Sequence, residues 1–237
     1  MVMERATGSG VTEWGIGPAL YVLWATVAIG VAIALAGPTS ESVTRVLVLG
    51  FLLLQLAFRS TLAKALPGLP PRTRFVVLGV ALAAVVEGFH MISTPVFLSL
   101  RIGPGTSLTQ GLTRYALDLL FTVPAYLVIF RVIWHFAERY RYSLWEYVVV
   151  MGLAQALGDG GLFLFWNSPG MLAFLPYPMT NYHAINVLPF LAVRDQLETG
   201  RTGSARKYLA VPAVIATYLV CGAIIKVLGR WRGLEPG

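Results

Sequence analysis

The chain has 237 residues, of which 57% are hydrophobic and only 12% charged, with a mean hydropathy of +0.71 and a formal net charge of +7. An average soluble domain carries about 25% charge, and several apolar runs here reach the roughly 20 residues that cross a bilayer, so a water-soluble fold is excluded. The basic residues lie almost entirely between apolar runs and read as topology signals, not as a nucleic-acid surface.

In chain order, seven spans are expected: Gly17 to Ala36, Val43 to Leu62, Phe75 to Leu100, Leu112 to Trp134, Leu144 to Trp166, Gly170 to Val193, and Tyr208 to Leu228. All read as helices, because an open strand edge has no hydrogen-bond partners in hydrocarbon. The fold class expected is therefore all-α: a polytopic integral membrane protein, a bundle of about seven transmembrane helices forming one domain over residues 1–237. The first span ends in Ala34-Leu35-Ala36, which resembles a signal-peptidase site, but Glu4 and Glu13 make a poor basic leader and the span is read as retained. The single cysteine, Cys221, falls in the last span; it rules out a disulfide framework within one chain and reads as a small packing residue.

Orientation follows from the positive charges. Arg5, the second loop (Arg59, Lys64, Arg72, Arg74), the fourth (Arg131, Arg139, Arg141) and the sixth (Arg194, Arg201, Arg206, Lys207) fall on one side. They are twice as many as Arg45, Arg101, Arg114, Lys226, Arg230 and Arg232 on the other, so the N-terminus is expected to be cytoplasmic. Trp134, Tyr140, Tyr142, Trp145 and Tyr147 surround the fourth loop as an interfacial belt.

Prolines at 95, 124, 189 and 212 fall within spans and predict kinks. The sixth span carries Pro176, Pro178 and Pro189, with Pro169 just before it, and Thr180 with Asn181 offers a cap for a half-helix starting near Tyr182. It is expected to be broken or re-entrant, and such breaks at membrane depth line cavities and mark binding sites.

An ionisable group near the bilayer centre costs at least about 2.5 to 3.5 kcal/mol on insertion scales, so each one needs a partner, a neutral form or water. In the third span Glu87, His90 and Thr94 share one helical face, and Glu87 with His90 forms a candidate acid/base pair; a hydrogen bond that locks helix packing is the alternative. On the fourth span Arg114, Asp118, Thr122 and Tyr126 recur every four residues, and an Arg114–Asp118 salt bridge competes with a role for Asp118 in a shared cavity. The fifth span pairs a small-residue stripe (Gly152, Ala156, Gly160) with Gln155 and Asp159, and the Gly160-Gly161 pair is also able to open a turn there. The sixth brings Tyr177, Asn181, Tyr182, His183 and Asn186.

With the assigned topology these groups fall between mid-membrane and the outer face, where neighbouring spans would build one polar cavity. The expected catalytic residues are Glu87, His90, Asp118 and Asp159; Tyr126, Gln155, Asn181, Tyr182, His183 and Asn186 are expected to bind substrate. The function this suggests is an intramembrane enzyme acting on an isoprenoid, sterol-like or acyl compound by isomerisation, cyclisation or hydration. A small proton-coupled transporter is the alternative, with haem or metal binding through His90 and His183 a weaker one. No nucleotide-binding loop and no Gly-x-Ser-x-Gly nucleophile is present; the reading calls for no cofactor and no metal, and its partners are membrane lipids and a hydrophobic small molecule, not nucleic acid.

Overall fold

The computed structural model describes residues 15–62, 64, 66–197 and 204–234; Glu4, Arg5, Glu13 and Arg201 lie outside them. Among the described residues the protein is all-helical. The helices are α1 (Ile16–Ala36), α2 (Ser40–Ala57), the short α3 (Arg59–Leu62), α4 (Pro71–His90) and α5 (Leu108–Arg139). After them come α6 (Leu144–Ala156), a widened turn over Leu157–Gly161, the short α7 (Leu162–Asn167), α8 (Pro176–Val193) and α9 (Ala210–Trp231). Starts are written locally in the sequence. Thr39 accepts from the Ser42 amide at α2, Ser143 from the Glu146 amide at α6, and Ser107 with Gln110 closes a capping box at α5.

Among the described residues, six stretches are long and apolar enough to cross a membrane: α1, α2, α4, α5, α6 continued through α7, and Ala205–Trp231. The exception is α8, long enough at 18 residues but carrying Thr180, Asn181, His183 and Asn186. Its place explains its composition. Helix α4 packs on α5, α5 on α9, α9 on α6, α6 on α8 and α8 back on α4, closing a ring of five; α2 and α1 lie outside it against α8. Nearly every residue of α8 is buried, so its side chains meet protein where those of α1 are largely exposed.

The expected break in the sixth span is not there. Helix α8 runs unbroken from Pro176, because Pro176 and Pro178 occupy the first turn, whose amides have no intrahelical partners to lose. Thr180 is no cap: its hydroxyl donates to the Pro176 carbonyl at 2.9 Å. Only Pro124 and Pro189 lie in helix interiors; Pro95 sits in the loop after α4 and Pro212 in the first turn of α9.

The break lies instead in the fifth span, at Gly158-Asp159-Gly160-Gly161. Each glycine weakens a helix by about 1 kcal/mol relative to alanine, and here Gly160 takes φ +96, outside the range of most residues, beside a non-helical Asp159. Gly158 lets α9 approach: a Cβ there would stand 2.7 Å from that of Tyr218. Beyond the break, α7 packs mainly on the turn that precedes it and on the 3-10 turn Pro169–Phe174 that follows. The ring is thereby opened at one end. The other end is filled by Phe75, Ala83, Phe130, Ile133, Met151 and Ala154, all fully buried.

Candidate functional site

The opened end of the ring holds a cavity of about 840 Å³, within the roughly 300–1,000 Å³ usual for small-molecule sites. Its walls come from the near halves of α4, α5, α8 and α9 and from the broken segment, with α2 reaching in from outside. The lining is mostly apolar, including Val86, Ile129, Ala156, Phe163, Leu164, Ile185 and Leu219.

Into this surface project two carboxyl–tyrosine pairs. The Tyr126 hydroxyl on α5 donates to Glu87 Oε1 on α4 at 2.6 Å, and the Tyr182 hydroxyl on α8 donates to Asp159 Oδ2 at 2.5 Å. The helix break is what places Asp159: the non-helical turn turns its side chain into the opening, where it is exposed, while Glu87 stays half-buried on a regular helix. Glu87 lies within electrostatic reach of both Asp118 and Asp159, and of these Glu87 and Asp159 line the cavity. A third tyrosine of the wall, Tyr218, donates to Gln155 Oε1 at 2.9 Å.

A second polar group sits where α2, α4 and α8 meet. Arg45 is 4% exposed and donates from Nη1 to Asn181 Oδ1 at 2.7 Å and to the Tyr177 carbonyl at 3.1 Å, and from Nη2 to Glu41 Oε1 at 2.9 Å. Its guanidinium also lies 4.1 Å from the centre of the Tyr177 ring. His90 faces this group and pairs through Nδ1 with the Thr94 hydroxyl at 3.0 Å. The α2 helix is held in register by the Thr44 hydroxyl, which donates to Ser93 Oγ and the Phe89 carbonyl.

The expected residues thus divide. Glu87, His90, Asp159, Tyr126, Asn181 and Tyr182 share one cavity. Glu87 and His90 do not pair with each other, however, since Glu87 turns to Tyr126 and His90 to Thr94. Asp118 is fully buried and is not part of the lining. It accepts the Val96 amide at 3.0 Å and so ties down the loop after α4. Nor does it pair with Arg114, which donates to the Arg101 carbonyl. Gln155, also fully buried, supports Tyr218 from behind.

His183 and Asn186 lie away from the cavity. His183 Nε2 meets the Tyr21 hydroxyl of α1 at 2.5 Å, with its ring against Gly152, and Asn186 donates to the Tyr182 carbonyl at 2.7 Å. His90 and His183 therefore do not face a common space, which separates the two ligands a haem or shared metal between them would need.

The cavity residues that sequence reasoning missed are Glu41, Arg45, Tyr218, Cys221 and Lys226. A signal existed for the first two: Arg45 falls inside the second expected span, at i+4 from Glu41, and an ionisable side chain there needs a partner as much as Glu87 does. Comparison with known family models, curated proteins and solved structures found no match, and the site is read from its own geometry.

Proposed function

We propose that the protein is a multi-pass membrane protein of seven spans, with α8 as the enclosed seventh, and that its cavity carries out proton transfer on a lipid-soluble substrate. The reaction class is isomerisation, cyclisation or hydration of an isoprenoid, sterol-like or acyl compound. The observation that carries this reading is the pair of carboxyls, Glu87 and Asp159, each held by a tyrosine hydroxyl in one apolar-walled cavity.

Two carboxyls in different surroundings divide the work of acid and base. Asp159, on the non-helical turn, and Glu87, half-buried on α4, are the two groups that give and take the proton at substrate. The tyrosines hold the carboxyls in place, and a hydroxyl linked to a carboxyl passes a proton without leaving its position. His90 at the α2–α4–α8 junction is the third exchangeable group. Asp118, Gln155, His183 and Asn186 are left out of the reacting set, because their hydrogen bonds hold other parts of the bundle. Orientation with the N-terminus in the cytoplasm, taken from the basic loops, puts the open end of the ring toward the outer face.

The test is untargeted lipid profiling of cells carrying the wild-type chain, Glu87→Gln, Asp159→Asn or no gene. Wild type is expected to convert a lipid that accumulates in the other three. Each amide keeps an oxygen for its tyrosine, so both variants should fold and insert. An unchanged lipid profile between wild type and null cells, with solute uptake into vesicles, would replace this reading with transport.

A further inference from the structure

The cavity has chemistry that proton transfer does not use. Arg45 comes from α2, outside the ring, and enters through the seam between α4 and α8. Its two terminal nitrogens are committed to α8 and to Glu41, yet its Nε has no partner among the described residues, and neither has the second carboxylate oxygen of Glu41, Oε2. Both atoms are buried, both residues line the cavity, and a buried donor or acceptor left unpaired costs free energy. One buried donor and one buried acceptor are thus left unpaired on side chains one helical turn apart.

We propose that this junction is a head-group subsite for a hydroxyl, and that the ligand is a single-chain lipid alcohol. A hydroxyl is the small group that accepts from Arg45 and donates to Glu41 at once. A carboxylate only accepts, and it would meet the free oxygen of Glu41. Nor does the junction hold a net positive charge to attract an anion, because the 2.9 Å ion pair with Glu41 already offsets Arg45. The hydrocarbon chain then runs along the apolar wall toward the side where α7 turns away from the ring. There Phe163, Leu164 and Leu219 line the cavity and are exposed. Such an opening faces the acyl chains of a bilayer, so the substrate arrives sideways without crossing water. This inference rests on the reading of the cavity as a site for a lipid-soluble substrate, and adds to it which substrate class and which end binds where.

The experiment compares three probes of one chain length on the purified full chain in detergent: a long-chain isoprenoid alcohol, the matching carboxylic acid and the parent hydrocarbon. Binding is read by native mass spectrometry and by thermal shift. The alcohol is expected to bind about tenfold or more tighter than the hydrocarbon, the size of a hydrogen bond to charged partners, and tighter than the acid. Glu41→Gln keeps an oxygen for Arg45 but turns the open acceptor into a donor, so the preference should invert toward the acid. Arg45→Met combined with Glu41→Leu removes both donor and acceptor and should level alcohol and hydrocarbon; if it fails to fold, the inversion with Glu41→Gln decides alone. Equal binding of all three probes overturns the hydroxyl subsite and leaves the lipid cavity standing, as does a wild-type preference for the acid. Failure of every probe to bind refutes the lipid-soluble substrate itself, and the subsite with it.

Discussion

The helix break at 157–161 makes a prediction whose sign separates two structures. In a regular helix, replacing glycine by alanine stabilises by about 1 kcal/mol. At Gly160, with φ +96 and ψ −17, the same change forces a side chain into a conformation that costs L-residues roughly 1–2 kcal/mol. The cost is purely conformational, since a Cβ there would meet nothing within 4 Å. For a chain of this length each kcal/mol moves the midpoint by roughly 2–4 °C, so Gly160→Ala should unfold about 2–8 °C lower than wild type. Gly160→Asn should lose less than Gly160→Ala, because asparagine tolerates positive φ at turn positions. Fluorescence-detected melting of the detergent-purified variants gives the answer. A midpoint that rises with alanine would mean that the fifth span is a continuous helix, and the origin assigned to the cavity would be refuted.

Other substitutions separate reacting groups from supporting ones. Asp118→Asn preserves an oxygen for the Val96 amide and should retain lipid conversion, whereas Asp118→Ala should destabilise by about 1–3 kcal/mol as that amide loses its acceptor; equal loss of conversion in Asp118→Asn and Asp159→Asn would return Asp118 to the reacting set. Tyr21→Phe leaves both ring nitrogens of His183 without a partner, since Nδ1 already has none, and should lower stability by about 1–3 kcal/mol while lipid conversion persists. A loss of conversion at unchanged melting would instead place His183 in the chemistry. Cys221 is the one cysteine of the chain and lines the cavity, so an apolar maleimide should label it, and a bound long-chain alcohol should protect it. Absence of labelling in folded protein would contradict the cavity's accessibility.

Much of the site was legible residue by residue. Glu87, His90, Asp159, Tyr126, Asn181 and Tyr182 were identified by one rule, that a polar group within an apolar span needs a reason, and the cavity collects all six. The same rule singled out Asp118 and His183, which lie outside the lining: Asp118 turns one oxygen to a loop amide and His183 one ring nitrogen to a tyrosine on α1, and His183's partner is distant in the chain. It passed over Arg45, which was counted only as a topology signal though it falls within the second expected span and stands inside α2. A break was expected at the prolines of the sixth span, with Gly160-Gly161 of the fifth able to open a turn, and it is the glycines that carry it. Proline at a helix start removes an amide that has no partner, while glycine at Gly160 permits a backbone that no regular helix contains.

Sequence by itself determined that the chain is helical, that its helices are apolar enough for a membrane, and which side chains are out of place in hydrocarbon, because these follow from composition and local periodicity. Tertiary structure alone decided that α8, the long helix not apolar enough to count as a span, is the enclosed one, that α7 leaves the ring, and that Glu87 faces Tyr126 and not His90. Hydropathy measures transfer from water to lipid, whereas α8 is transferred to protein. The rotation of each helix, which selects the residues that share a cavity, is fixed by packing between segments far apart in the chain.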